Sequence, residues 1–166
     1  MIEIALYQPD IAPNTATILR LAACLGLRVR IIEPAGFVWS ESAFRRAGMD
    51  YLARADVVRE ASFAQFLDHI AGRRLILFST RGKAAYTQFS FAAGDVLLFG
   101  RESSGVPGAV AARADHRLVI PMRAGLRSLN VALAAAMAAG EALRQTGGFG
   151  YNPAPGPAPG DEGEAT

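Results

Sequence analysis

The sequence predicts an α/β domain in which a mainly parallel sheet carries helices on both faces. Two alternating patterns carry that reading. Short, uniformly apolar segments such as Val96-Leu97-Leu98-Phe99 suit strands buried on both sides, and the stretches between them place apolar residues at helical spacing. Size agrees: 166 residues, 51% hydrophobic and 19% charged, make one domain with a substantial core.

Ile2 to Tyr7 reads as the first strand. Asn14 to Gly26 follows as a helix, with Ile18, Leu21, Ala22 and Leu25 on one face, Pro13 near its first turn, Asn14 or Thr15 as its cap and Gly26 as its stop. Arg28 to Glu33 is the second strand, Ser42 to Gly48 a short helix, Asp56 to Arg59 a short strand, and Phe63 to Ile70 a helix closed by Gly72. Leu75 to Ser79, Val96 to Phe99 and Leu118 to Ile120 complete the strands, and an alanine-rich helix runs from about Leu129 to Gln145. Beyond Gly147 the chain turns to Gly, Pro and acidic residues. Such a segment buries too little apolar area to offset its ordering entropy, so residues 147–166 read as a flexible tail and residues 1–146 as the domain.

Composition excludes several classes. A single cysteine, Cys24, and two histidines, His69 and His116, leave a structural zinc site without ligands and allow no internal disulfide, which fits a reducing cytoplasm. The N-terminus lacks the basic region and apolar core of a secretory signal. The longest apolar run, Val131 to Gly140, falls short of the roughly 20 residues that span a bilayer. The formal charge of +2 understates the domain's basic character, because Asp161, Glu162 and Glu164 all sit in the tail. Arginines cluster at Arg28/Arg30, Arg45/Arg46, Arg73/Arg74/Arg81 and Arg123/Arg127, a pattern that suits a polyanionic partner as well as a solvated surface.

Three segments stand out as candidate chemistry. The strand Val96 to Phe99 runs into the polar loop Gly100-Arg101-Glu102-Ser103-Ser104-Gly105, and ligands gather beyond such strand ends. No Lys-Ser or Lys-Thr pair follows Gly105, so this is not a phosphate-binding P-loop. Val119-Ile120-Pro121-Met122 ends a strand and leads through a short loop to Ser128-Leu129-Asn130 at the mouth of the last helix, where Ser or Asn either caps the helix or receives a ligand. Arg20 lies two turns into an otherwise apolar helix, where a guanidinium pairs with an acid such as Glu102, extends to solvent, or serves function.

Taken together, Pro13-Asn14-Thr15 with Arg20, Ile31-Ile32-Glu33-Pro34-Ala35-Gly36-Phe37, Arg45-Arg46-Ala47-Gly48-Met49-Asp50-Tyr51, Phe99-Gly100-Arg101-Glu102 and Ile120-Pro121-Met122 with Ser128-Leu129-Asn130 resemble the SPOUT-class (SpoU/TrmH) RNA 2'-O-ribose methyltransferases. The likeness is nearest to the small TrmL/YibK-type enzymes that methylate the wobble nucleotide of tRNA. Five motifs occur in the family's order over residues 2–146.

The resemblance implies a parallel sheet whose C-terminal segment forms a deep trefoil knot, an S-adenosylmethionine-dependent homodimer, and a tRNA anticodon stem-loop as substrate, with cytidine or modified uridine at position 34 as target. It implies no metal. Carried over by position, Phe78, Gly100, Ile120, Ser128 and Leu129 fall at the cofactor site, and Arg20, Asn14, Glu102 and Asn130 at the reacting ribose. Arg20 is nearest the transferred proton in that pattern, although a guanidinium is a weak base and positioning the hydroxyl or holding a phosphate serves equally. The chain departs from the family at Ala16, where glycine is usual and a methyl would stand near the substrate entrance, and at Arg101 and Ser104, where proline and arginine are common. Val131-Ala132-Leu133 likewise replaces a more polar continuation. These departures leave two alternatives beside wobble methylation: another tRNA or rRNA nucleotide, or a knotted RNA-binding module without catalysis.

Overall fold

The computed structural model describes residues 1–40 and 54–150. The expected helix from Ser42 to Gly48, the motif from Arg45 to Tyr51 and the tail beyond residue 150 lie outside the described residues. Among those described, seven strands form one parallel sheet: β1 (Glu3–Tyr7), β2 (Arg28–Ile32), β3 (Asp56–Glu60), β4 (Leu75–Phe78), β5 (Ala84–Ala85), β6 (Val96–Phe99) and β7 (His116–Val119). Their spatial order is β3-β2-β1-β6-β4-β7-β5. The chain thus builds outward from β1 to β3, then crosses to the other side of β1 for the remaining four strands. Such a reversal opens a crevice at the carboxyl ends of the central strands.

The apolar runs form strands because both faces are covered. On β1, Ile4 and Leu6 join the core beneath helices α1 (Ala12–Leu25) and α4 (Val131–Thr146), whereas Ala5 and Tyr7 join the core beneath α2 (Phe63–His69) and α3 (Gly108–Ala111). The same alternation holds on β4, with Ile76 and Phe78 opposite Leu75 and Leu77, and on β6, with Leu97 and Phe99 opposite Val96 and Leu98. Successive side chains on a strand point to opposite faces, so a run without polar residues is what a doubly covered sheet requires. The small face of α4, with Ala135, Ala138, Ala139 and Ala142 fully buried, lets its backbone approach α1 and the sheet closely.

Two helix starts differ from expectation. Helix α1 begins at Ala12, with Ile11 as N-cap and Pro13 in the first turn, so neither Asn14 nor Thr15 caps it. The N–H groups of both residues donate to the Ile11 carbonyl, which frees the Asn14 side chain for other work. Helix α4 begins at Val131 with Asn130 as N-cap, so Leu129 and Ser128 precede it. Gly26, at φ 66°, ends α1 in the left-handed conformation that glycine adopts without strain.

Charge is buried on the α2 side of the sheet. Arg30 on β2, only 6% exposed, donates through Nε to Glu3 at 2.6 Å and through a terminal nitrogen to the fully buried Glu60 at 2.5 Å. Arg73 adds a second cation at 2.6 Å from Glu3, and His69 Nδ1 lies 2.8 Å from the other Glu60 oxygen. Burial opposes ionisation of Glu3, but hydrogen bonds from Arg30 and Arg73 outweigh it and hold its carboxyl below the usual range.

Candidate functional site

A cavity of about 850 Å³ opens at the carboxyl ends of β4, β6 and β7. Phe78, Gly100 and Ile120 mark the three strand ends in its wall, and Ser128, Leu129 and Asn130 bring in the loop before α4. Asn14 from α1 and Glu102 from the loop after β6 complete the set. Eight of the nine residues expected from the sequence therefore meet in one place, and Arg20 does not line the cavity. Arg20 lies on the exposed face of α1, on the same side as Thr17 and Cys24.

The wall is shaped by backbone approaches that exclude a side chain. Arg101 N donates to Gly105 O at 3.0 Å, and Gly105 N returns the bond to Arg101 O at 2.8 Å, which closes residues 101–105 into a tight loop. A Cβ on Gly100 would stand 2.5 Å from the Gly105 carbonyl carbon, so only glycine allows that closure. A Cβ on Gly82 would fall on the Leu118 carbonyl group, where the segment after β4 passes against β7.

A polar relay crosses the cavity. Asn130 Oδ1 accepts from the N–H groups of Ala132 at 2.8 Å and Leu133 at 3.4 Å, which fixes which end of its amide faces the helix. Its Nδ2 must then face outward, and it donates to Asn14 Oδ1 at 2.9 Å. Asn14 in turn donates through Nδ2 to Glu102 Oε1 at 3.1 Å. The start of α4 thus sets the direction of a chain of donors that ends on a carboxylate. Asn130 thus takes the capping role at the helix mouth, while Ser128 and Leu129 line the cavity beside it.

Asp10 is the member that the sequence reading missed. Its N–H donates to Glu102 Oε2 at 3.1 Å, and its Oδ1 accepts the Glu102 N–H at 3.1 Å. Ser103 Oγ donates to the other oxygen, Oδ2. Nothing in the sequence around Asp10 marks it; its place just beyond the end of β1, beside β6, brings it to Glu102. The neighbouring Glu102 carboxyl, followed by Ser103 and backbone N–H groups, holds Asp10 down at about 2. Burial, reinforced by Asp10, pushes Glu102 up. Both Glu102 oxygens thus accept from this cluster, Oε2 from the Asp10 N–H and Oε1 from Asn14.

Four arginines, Arg81, Arg101, Arg117 and Arg127, also line the cavity. Arg117 had no place among the sequence clusters; it sits on β7, and strand pairing carries it to this wall. Ala16 corrects another expectation. It is buried in the core at 9% exposure instead of facing the substrate entrance, so its methyl is a packing feature. Among the described residues no group of three or more His, Cys, Asp or Glu side chains gathers in metal-binding geometry.

Residues 1–140 match the SpoU rRNA Methylase family. The tRNA (cytidine(34)-2'-O)-methyltransferase of Ancylobacter novellus is 58% identical over 150 residues, covering 89% of this chain and 95% of the relative. A solved structure concerned with 2-OH methylation of C/U34 on tRNA superposes with a TM-score of 0.83 at 44% identity, over 87% of this chain and 95% of its own. The SpoU methyltransferase AviRb from Streptomyces viridochromogenes, solved in complex with AdoMet, reaches a TM-score of 0.77 at 27% identity, over 87% of this chain and 57% of that one.

Proposed function

The chain belongs to the SpoU rRNA methylase family, and from that membership we propose that it transfers a methyl group from S-adenosylmethionine to the ribose 2'-hydroxyl of nucleotide 34, cytidine or modified uridine, in the tRNA anticodon loop. The observation that carries this reading is the meeting of Phe78, Gly100, Ile120, Ser128 and Leu129 with the Asn130-Asn14-Glu102 relay in one cavity. The cofactor fits the residues present. Sites for small molecules span roughly 300–1,000 Å³ and combine apolar walls with a few polar groups, and the cavity meets both conditions. Phe78, Ile120 and Leu129 would supply apolar contact, while Gly100 and Ser128 would offer backbone and hydroxyl groups.

When bound, S-adenosylmethionine supplies an activated methyl on a sulfonium. The residues of this chain then have to hold a ribose hydroxyl in line and manage one proton. Asn14 and Asn130, locked by the relay, orient the hydroxyl, and Glu102 anchors the relay. Arg20 is read as the group that positions the hydroxyl or a neighbouring phosphate, from an exposed helix face that a second copy or the RNA can reach. A homodimer is part of the reading, as are a trefoil knot in the C-terminal half and a tail, residues 147–166, outside the catalytic domain. The passage of Gly82 against Leu118, too tight for a Cβ, supports a close crossing of segments in that half.

Incubation with labelled S-adenosylmethionine and total tRNA, followed by mass-spectrometric mapping, should place the methyl on the ribose of nucleotide 34. Label on another nucleotide would move the target, and none in tRNA or rRNA would end the reading. Arg20→Ala should lower transfer by orders of magnitude while cofactor binding is kept, and near-normal turnover would remove Arg20 from the mechanism.

A further inference from the structure

We infer that Arg101 is a phosphate-binding residue, holding the RNA backbone beside the reacting nucleotide at the mouth of the cavity. The inference rests on the reading of the chain as an RNA methyltransferase and adds to it a contact made by a residue outside the cofactor set and the relay. Arg101 stands two residues beyond the end of β6 and is one of the residues that line the cavity. Its Nε is buried and makes no hydrogen bond. An enclosed guanidinium N–H without an acceptor is costly and uncommon, so contacts within the chain leave this side chain's hydrogen-bonding capacity unused.

The nearest acid does not fill that role. Asp10 Oδ2 lies 3.8 Å from Arg101 Nε, outside hydrogen-bonding distance, and the Asp10 carboxylate already accepts from the Glu102 N–H and from Ser103. Asp10 therefore balances part of the charge while leaving the N–H unpaired. The side chain is 35% exposed, so its outer edge remains open to an incoming group.

The arm that carries Arg101 is fixed in advance. Two backbone hydrogen bonds with Gly105 and the bonds between Asp10 and residues 102 and 103 hold the loop before any ligand arrives. A prepared guanidinium fork loses little freedom on binding, and its planar geometry matches an oxyanion. Carboxylate and phosphate share that chemistry. The company of Arg81, Arg117 and Arg127 on the same cavity favours the RNA phosphates, because one carboxylate needs one cation and a nucleic acid chain presents a row of charges.

The test is tRNA binding by Arg101→Gln, read by fluorescence anisotropy across a salt series, with S-adenosylmethionine binding read by calorimetry. Affinity for tRNA should fall about tenfold, the worth of one charge-assisted contact, and the slope of log affinity against log salt should become shallower by about one. Arg101→Lys should keep the slope and regain part of the affinity. Arg113→Gln supplies the control, since it removes the same charge beside Asp115, whose N–H bonds to the amino end of β4, away from the cavity. KM for tRNA should rise in Arg101→Gln while kcat at saturation changes little. Unchanged tRNA affinity and slope would overturn the inference, as would weaker cofactor binding with tRNA binding intact, which would assign the anion to the cofactor's carboxylate. Absence of methyl transfer by the unaltered chain would instead defeat the functional reading, and the binding series would still decide Arg101.

Discussion

At the scale of single residues, Asn130 is both a helix cap and a directional link. Its carbonyl oxygen is bound by two helix N–H groups, so its amide nitrogen has one orientation open to it, toward Asn14. Asn130→Asp should preserve the cap and keep stability near that of the unaltered chain, while activity falls because a carboxylate cannot donate to Asn14. Asn130→Ala should lose activity and also about 0.5–2 kcal/mol of stability. Urea unfolding beside turnover separates the two effects. The Asp10–Glu102 pair gives a pH signature. Because burial and Asp10 push Glu102 up, its protonation on acidification should remove an acceptor from the relay above the ordinary carboxylate range, and Asp10→Asn should move that acid limb of the rate profile to lower pH. Stability has the opposite dependence for the two groups. Asp10, lowered from 3.8 to about 2, contributes stability that is present above about pH 4 and lost as pH falls toward 2. Glu102, raised, contributes most below its ordinary value and loses that contribution as pH rises through the raised one. Asn14, Glu102 and Asn130 were legible in the sequence because they sit at motif positions; Asp10 was not, because its partners are 92 and 93 residues away.

At the scale of elements, every strand but β5 was readable to within a residue or two, since cover on both faces makes the central β4 and β6 apolar throughout and most of β1 apolar. Helix α1 was misread at its start for a physical reason. Proline is tolerated in the first turn, so Pro13 did not mark the boundary, and the polar residue that looked like a cap was recruited across the fold by Glu102 and Asn130. The short β5 and α3 carried too few residues for any periodicity. The buried cluster joining β1, β2 and β3 was equally hidden, because Glu3, Arg30 and Glu60 are ordinary charged residues until strand pairing brings them together. Arg30→Met should destabilise the domain by about 3–5 kcal/mol in denaturant unfolding, since it leaves two acids buried without their shared cation. A change under 1 kcal/mol would mean that Arg73 and His69 suffice to hold them.

At the scale of the whole molecule, some of the exposed apolar residues lie at or beside the site, Ile11 and Leu129 in its lining. Leu133 and Met137 lie one turn apart on α4 at 59% and 42% exposure, Leu129 in the loop before the helix is 39% exposed, and Ile11 at the start of α1 is 44% exposed. An apolar stripe beside a functional cavity is the surface that an isologous homodimer would cover. Leu133→Glu should therefore yield a monomer by light scattering, with methyl transfer lost and S-adenosylmethionine binding retained. A dimer that persists would move the interface elsewhere. Among the described residues no helix is long and apolar enough to cross a membrane.

The sequence by itself determined the class of the fold, a mainly parallel sheet covered on both faces, and the family, because burial on both faces imposes a composition and motif spacing survives in one dimension. It also marked eight of the residues that meet in the cavity. Tertiary structure alone decided how those residues act on each other: that Asn130 points its amide at Asn14, that Asp10 occupies Glu102, that Ala16 belongs to the core, and that Arg101 has an N–H without an acceptor. Hydrogen bonds are directional and act over about 3 Å. Between groups some ninety or more positions apart in the chain, only the folded backbone can set that distance.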